Sequence, residues 1–530
     1  MNEKENGAIA NGNDHHNRLV RSLSTSDLWG DDIEQVEVIE THISTLFLVG
    51  DFAYKMKKPL NLGFLDFSSL EKRHYFCNEE VRLNRRLAPN IYLDVIPISG
   101  DVADPQLGGE GEPIEWLVKM QRFNAHAVFS EHPEFLNEAL IKRLAHQIAD
   151  FHLQADVINK TMPYGLMQSV LNPMMENFSQ LDSQVSETAI LDKLHPLKHW
   201  TIQQSEVLQQ QLLLRRKVGF VRECHGDLHL GNIVLEQDEP LIFDGIEFAP
   251  ELRWIDTISD LAFLLMDLSH QRQTRLANAL LNFYLEQSGD YGSLPLLSFY
   301  LAYRAMVRAK VTAIRFGQTG LDELDRQTVH DECLDYLLLA ESFTHAKRGA
   351  VVITHGVSGS GKSTVSEALI HLESVVRIRS DVERKRLAGY SATHRVSQEE
   401  GEVLYSKEMN LRTYQHLLAS VSSIVQSGQV ALVDAAFLRR QERVTFTNLA
   451  TELDVPFRIL DFDVEKEELI RRIEQRTARN DDASDANVDV LIKQLQWDEP
   501  LDQQECSVSL PASSLTIHEL AERIRALQSE

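Results

Sequence analysis

The sequence predicts an α+β domain followed by an α/β domain with a parallel sheet. Three observations lead there. Strand-forming runs crowd the first 121 residues around one long helix, and helical periodicity takes over from Pro133. From Ala350 onward short apolar strands alternate with helical stretches, as in a parallel sheet covered on both faces. Between the first of those strands and its helix stands the string Gly356-Val-Ser-Gly-Ser-Gly-Lys-Ser363. A chain of 530 residues is also too long for one compact core.

The elements follow in order. Residues 1–28 are rich in Asn, Gly, Ser, His and charge and are read as a disordered tail. Strands are expected over Val36–Val49, and Gly50-Asp51 is a turn signal before a strand at Phe52–Lys57. A helix near Ser69–Leu87 and strands near Ile91–Ile98 and Glu115–Gln121 complete the first layer. Leu140–Leu153 has apolar residues three and four apart, the mark of a helix. Short strands at Ile233–Leu235 and Leu241–Phe243 flank a polar loop, and helices resume from Asp256 to Ala340. Residues 341–350 read as a linker, placing the domains at 29–345 and 346–530. In the second domain strands are expected at Ala350–Thr354, Val375–Arg379, Val430–Val433 and Phe457–Phe462.

Bulk properties exclude several roles. The formal net charge of -26 argues against a nucleic-acid partner or an anionic membrane surface, since both require basic protein surface. No apolar run reaches the ~18 residues of a membrane span, and the N-terminus lacks the apolar segment of a secretory signal. The four cysteines, Cys77, Cys224, Cys333 and Cys506, have no close spacing. Neither a zinc site nor a disulfide framework is indicated, and a reducing, cytoplasmic location is expected.

The first cluster with chemistry is His225-Gly-Asp-Leu-His-Leu-Gly-Asn232, followed by Ile242-Phe-Asp-Gly-Ile-Glu247. Phosphoryl transfer needs a residue to orient the acceptor hydroxyl, oxygen ligands for Mg²⁺ and a cation on the phosphates. Asp227 suits the first task. Asn232, Asp244 and the nearby Glu247 offer the oxygen atoms a hard cation prefers.

This string makes residues 35 to 340 resemble the aminoglycoside phosphotransferase and choline-kinase-like family, within the protein-kinase-like fold. The resemblance implies Asp227 as the catalytic acid–base residue, Asn232 and Asp244 as Mg²⁺ ligands, and Lys55, in Ala53-Tyr-Lys55, as the lysine that pairs with ATP phosphates. Lys57 shares the same strand face by period two. The helix partner of Lys55 is Glu79 or Glu80, with Glu79 favoured from related sequences. Asp260, in Asp260-Leu-Ala262, is implied as a brace for the catalytic loop, and His225 is read as another. The family's Gly-x-Gly-x-x-Gly is absent, and Ile39-Glu-Thr-His-Ile43 stands in its place. The alternative for this domain is a kinase-like fold that no longer catalyses.

Gly356-x-x-x-x-Gly361-Lys362-Ser363 follows a strand and opens a helix, the context of a Walker A P-loop. Gly356, Ser358, Gly359, Ser360 and Gly361 would turn backbone N–H groups onto phosphate oxygens, with help from the helix N-terminus. Lys362 reaches the β- and γ-phosphates, Ser363 meets Mg²⁺, and Thr364 contacts the α-phosphate. Val430-Ala-Leu-Val-Asp434 is a strand ending in an acid, so Asp434 is a further Mg²⁺ ligand through water, or a turn-forming residue. Residues 350–530 resemble gluconate-kinase-like or zeta-toxin-like P-loop kinases. That resemblance implies Asp381, with Arg384, at the acceptor hydroxyl. It also implies a lid of Arg472, Arg476 and Arg479, with Arg476 at the transferred phosphate, followed by a mobile loop at 480–486. A solvated basic face is the other reading of those arginines. Arg304 and Arg308 lie on one helical face, for an anionic substrate, for docking the second domain, or as a solvated or salt-bridged surface.

The full order resembles a bacterial family of bifunctional aminoglycoside phosphotransferase and ATP-binding proteins. It implies an ATP- and Mg²⁺-dependent phosphotransferase acting on a hydroxyl of a small molecule at two nucleotide sites. The alternative is a kinase-like domain regulated by a P-loop module that binds ATP without transferring phosphate.

Overall fold

The computed structural model of the chain describes residues 14–529, apart from 26–27, 31–32, 34, 64, 185–187, 317–322, 393 and 480–487. Two compact units form, and they interleave along the chain. One is Met1–Leu136, Gln154–Val170 and Gln210–Asp260; the other is Asn137–Leu153, Leu171–Gln209 and Leu261–Glu530. Grouping by packing therefore differs from grouping by motif: the helical stretch after Leu261 belongs with the parallel sheet.

The first unit is built on a six-stranded antiparallel sheet: β1 (Glu37–Glu40), β2 (Ser44–Val49), β3 (Phe52–Lys57), β4 (Tyr92–Asp101), β5 (Asp104–Leu107) and β6 (Glu115–Gln121), in the order β1-β2-β3-β6-β4-β5. Alternation along β3 divides its side chains. Tyr54 and Met56 pack with Phe47 and Leu117, whereas Ala53 meets Cys77 and Val81 of the helix Leu70–Asn84 on the other face. Lys55 and Lys57 share that second face. Ser69 caps the helix, its side chain accepting from the Lys72 amide at 3.3 Å.

The reading of 1–28 as a tail is corrected over residues 14–25, and residues 1–13, 26 and 27 lie outside the described ones. Residues 14–23 are helical, and Leu19 and Leu23, four apart on one face, are fully buried against the β-sheet. Two apolar side chains at helical spacing outweigh the polar composition around them.

The remaining strands of this unit are short. β7 (Val221–Glu223) pairs with β10 (Trp254–Asp256), and β8 (Ile233–Glu236) forms a hairpin with β9 (Glu239–Ile242). The loop from Cys224 to Asn232 runs between them.

The second unit carries a five-stranded parallel sheet: β11 (Ala350–His355), β12 (Val375–Arg379), β13 (Val430–Asp434), β14 (Phe457–Asp461) and β15 (Ser509–Pro511), ordered β12-β13-β11-β14-β15. All six residues of β11 are buried, as its apolar run Ala350–Ile353 predicts for a strand covered on both faces. A separate helical core gathers Phe178, Leu194, Phe263, Met306 and Leu337.

β12 is an edge strand, and the helix Thr274–Ser288 covers it. The Asn282 carboxamide donates to the Val375 carbonyl at 2.9 Å and accepts from the Arg377 amide at 2.8 Å. It thus engages two outward backbone groups of the strand as a neighbouring strand would. Asn278 donates to the Ile370 carbonyl at 2.6 Å. Among the described residues no helix is long and apolar enough to cross a membrane.

Candidate functional site

In the first unit the site grows from β3. Lys55 Nζ lies 2.9 Å from Glu80 Oε1 and 2.8 Å from Asp244 Oδ1. Lys57 Nζ lies 2.6 Å from Glu80 Oε2 and also pairs with Glu247. Burial alone would raise the Glu80 carboxyl, but Lys55 and Lys57 outweigh it and hold the group at about 2. Burial also works against the Lys55 ammonium, yet Asp244 and Glu80 keep it charged, well above the ordinary lysine value.

The expected partner Glu79 is corrected to Glu80. Glu79 binds Arg82 at 2.8 Å and Arg253 at 3.4 Å, on the helix flank that turns away from Lys55. The signal for Glu80 was in the sequence: Cys77, Glu80, Val81 and Asn84 form one buried stripe at three- and four-residue spacing. Glu247, grouped with Asp244 as an oxygen donor, is buried and engaged with Lys57 instead.

The loop after β7 is fixed by its backbone. Asp260 accepts from the His225 amide at 3.0 Å and from the Gly226 amide at 2.8 Å. His225 Nε2–H donates to the Phe243 carbonyl at 3.0 Å, so Nδ1 accepts from the Asp227 amide at 3.3 Å. This neutral tautomer agrees with burial, which lowers the His225 pKa. Gly226 has φ +88°, and a Cβ there would lie 2.8 Å from the Leu252 carbonyl oxygen. Asn232 Nδ2 donates to Asp227 Oδ2 at 3.1 Å and to the Asp227 carbonyl at 2.9 Å. His229 Nδ1 accepts from the Gly231 amide at 3.0 Å.

Asp244 sits in the left-handed region at φ +61°, unusual for a side chain with a Cβ. Two residues that sequence reasoning missed hold this turn. Tyr92 Oη accepts from the Asp244 amide at 3.1 Å, and Asn84 Oδ1 accepts from the Gly245 amide at 2.7 Å. Where the glycine-rich loop is absent, the β1–β2 turn is tied by Thr41, whose Oγ1 accepts from the Ser44 amide at 3.0 Å.

In the second unit the string 356–363 wraps the N-terminus of the helix Lys362–Leu369. Gly356, Gly359 and Gly361 all have positive φ, and a Cβ on Gly359 would press on Ile473 at 3.0 Å. Lys362 Nζ donates to the Val357 carbonyl at 2.8 Å and lies 3.4 Å from Ser360 Oγ. The Ser358 amide donates to Gln494 Oε1 at 2.7 Å. Arg472 Nη1 reaches the Ser360 carbonyl at 3.4 Å, and its Nε binds Glu468 at 2.7 Å. Asp434 is buried at the end of β13 and accepts from Ser366 Oγ at 2.9 Å. A cavity of about 2120 Å³ brings Ser363, Thr364, Asp381, Arg384, Asp434 and Arg472 to one space. Arg384 is buried and bonded to Asn410. The side chains of Arg476 and Arg479, and residues 480–486, expected as a mobile loop, fall outside the described residues. Arg304 and Arg308 do not form a solvated face: Arg304 is buried over Phe263, 4.9 Å from the ring centre, and Arg308 stacks on Tyr336.

Residues 77–297 match the model of the phosphotransferase enzyme family, and residues 351–501 match that of an AAA domain. An uncharacterized protein of Mycobacterium tuberculosis is 30% identical over 474 residues, spanning 87% of this chain and 91% of its own. The chain belongs to this family of fused phosphotransferase and P-loop proteins. Among solved structures, the GDP and kanamycin complex of APH(2″)-IIia aligns at TM-score 0.39 and 16% identity, covering 61% of this chain and 99% of that one. Kti12 of Chaetomium thermophilum, with ADP-AlF3, aligns at TM-score 0.27 and 15% identity, covering 34% and 100%.

Both motifs of this fused phosphotransferase and P-loop chain fit a nucleotide–magnesium group by their donor chemistry. Asn232 uses its Nδ2 on Asp227, so its Oδ1 is the atom suited to a cation, and the Asp244 carboxylate, on the turn after β9, is about half exposed. In the second unit Ser363 and the buried Asp434 are the corresponding oxygen donors.

Proposed function

We propose that this chain is a bifunctional ATP-dependent phosphotransferase with two nucleotide–magnesium sites. At the first, the γ-phosphoryl group passes to a hydroxyl of a small molecule. The observation that carries the reading is the shared anchoring of three groups: Lys55 on Asp244 at 2.8 Å, Lys55 on Glu80 at 2.9 Å, and Asn232 on Asp227 at 3.1 Å. A cation, a metal-ligand pair and an acid–base carboxylate are thereby preorganised, which is what phosphoryl transfer asks of a protein.

In this reading Asp227 accepts the proton of the acceptor hydroxyl while Asn232 holds the carboxylate in place. Lys55 stands against the nucleotide phosphates, with Glu80 fixing its position and Asp244 and Asn232 holding Mg²⁺. The metal neutralises phosphate charge when bound. Asp260 and His225 keep the loop from shifting as the proton moves. At the P-loop, Lys362 leaves the Val357 carbonyl for phosphate oxygens, Ser363 and Asp434 hold Mg²⁺, and Asp381 with Arg384 meets the second acceptor. Arg472 serves the phosphates from the adjoining helix.

The test is phosphate transfer from labelled ATP across sugars, nucleosides and aminoglycosides, using wild type, Asp227→Asn and Lys362→Ala. Loss of distinct products in the two variants supports two transferases. Transfer that vanishes with Asp227→Asn and survives Lys362→Ala unchanged makes the P-loop a binding module only. Activity untouched by both substitutions overturns the proposal.

A further inference from the structure

We propose that Glu286, on the helix Thr274–Ser288, is a positioning residue of the P-loop site, setting the charge around Asp434 through Arg379. The helix lies within the stretch matched to the phosphotransferase family, so the P-loop site is completed from outside its own sequence region. The inference rests on reading Gly356–Ser363 as a nucleotide–magnesium site.

Arg377 and Arg379 are two apart on β12 and approach one carboxylate. Glu286 Oε2 lies 2.9 Å from Arg377 Nη2, and Oε1 lies 3.3 Å from Arg379 Nη1. Arg379 also approaches Asp434, and Arg377 approaches the serine bonded to it. Parallel pairing of β12 with β13 sets Arg379 opposite Asp434, with Arg379 Nε 3.9 Å from Asp434 Oδ2. Arg377 Nη1 lies 3.5 Å from Ser366 Oγ, the hydroxyl that donates to Asp434 Oδ2 at 2.9 Å. Glu286 therefore draws two guanidinium groups away from the acid that would serve the metal. Glu286 and Arg379 line the same cavity as Ser363 and Asp434. Burial would raise the Glu286 carboxyl, but Arg377 and Arg379 hold it below its ordinary value, so it is a fixed negative charge.

The helix cannot drift from the strand it serves. Asn282 bonds the backbone of Val375 and Arg377. From the other side, Arg386 donates to the carbonyl of Gln287 at 2.8 Å and to that of Glu286. If Glu286 loses its charge, Arg379 is drawn toward Asp434. A guanidinium on that carboxylate competes directly with a divalent cation, while the loss of a negative charge favours an unmetallated triphosphate. The two effects have opposite signs, which separates positioning from general damage.

The experiment titrates a fluorescent ATP analogue into the full chain, with and without Mg²⁺, and scores the signal that disappears in Lys362→Ala. For Glu286→Gln, the Mg²⁺ concentration giving half-maximal binding rises about five- to tenfold, the lower end of the usual coupling between two linked groups. Metal-free binding is unchanged or tighter. In Glu286→Gln with Arg379→Met the rise is gone and the Mg²⁺ requirement equals that of Arg379→Met alone. Arg379→Met alone lowers that requirement, and this variant decides the matter if Glu286→Gln melts early. An unchanged Mg²⁺ requirement in Glu286→Gln, a shift that persists in the double variant, or no effect of Arg379→Met overturns the inference. A wild-type chain with no Lys362-dependent signal instead overturns the P-loop reading beneath it.

Discussion

Glu80 Oε1 and Lys55 Nζ are 2.9 Å apart, and the same carboxylate binds Lys57 through its other oxygen at 2.6 Å. One fully buried acid thus serves two lysines of one strand face. Removing it leaves two ammonium groups with less compensation inside the protein. Glu80→Gln is expected to destabilise the first unit by about 3–5 kcal/mol in urea unfolding, and to abolish transfer at the Asp227 site. Glu79→Gln, which touches only the Arg82 and Arg253 flank, is expected to leave transfer nearly intact.

The same group sets an acid limit on stability. The Glu80 carboxyl is lowered from 4.5 to about 2 in the folded state. A depressed acid stabilises the fold above its unfolded value, and this contribution fades as pH falls toward the folded value. The stability difference between wild type and Glu80→Gln is therefore expected to shrink as pH falls from 4.5 toward 2. Urea midpoints at several pH values in and above this window measure it. A difference that stays constant would contradict the pairing.

Edge protection of β12 gives a prediction for the second unit. Asn282→Ala removes the acceptor of the Arg377 amide and one of two donors to the Val375 carbonyl, which keeps Asn278 at 3.0 Å, and is expected to cost about 1–3 kcal/mol. Asn282→Asp keeps the acceptor for the Arg377 amide but sets a carboxylate against the Val375 carbonyl, and is expected to be worse than Asn282→Ala. Thermal melts of the three proteins, ranked by midpoint, check the order.

These examples show what the sequence made legible. Both folds were readable because their signals are local: period-two strands at Phe52–Lys57, the buried run of β11, and a glycine string between strand and helix. Asp227, Asn232, Asp244 and Lys362 stood out as candidates because their spacing follows what phosphoryl transfer asks of a chain. The choice of Glu79 over Glu80 failed because it followed a resemblance and ignored the helix stripe through Cys77, Val81 and Asn84. The helix at residues 14–23 was hidden by polar composition, with only Leu19 and Leu23 to mark its buried face. Tyr92 and Asn84 at the Asp244 turn, and Glu286 beside Arg379, join residues far apart in sequence. No periodicity reports such contacts, and only the folded chain reveals them.

Loop bracing at the first site gives a kinetic prediction. Asp260→Asn replaces an oxygen acceptor to the His225 and Gly226 amides with a donor on one side. It is expected to lower kcat by about tenfold or more, as a small misplacement of Asp227 would, with little change in KM for ATP. A KM-dominated effect would contradict a role confined to the loop.

The central claim is that two separate pockets in one chain each hold a nucleotide with Mg²⁺. Calorimetric titration of the full chain with Mg²⁺ and a non-hydrolysable ATP analogue tests it most directly. The account predicts two equivalents for wild type, one for Lys362→Ala and one for Asp244→Asn, each variant losing a different site. A wild-type stoichiometry of one, or two variants that lose the same site, would contradict it.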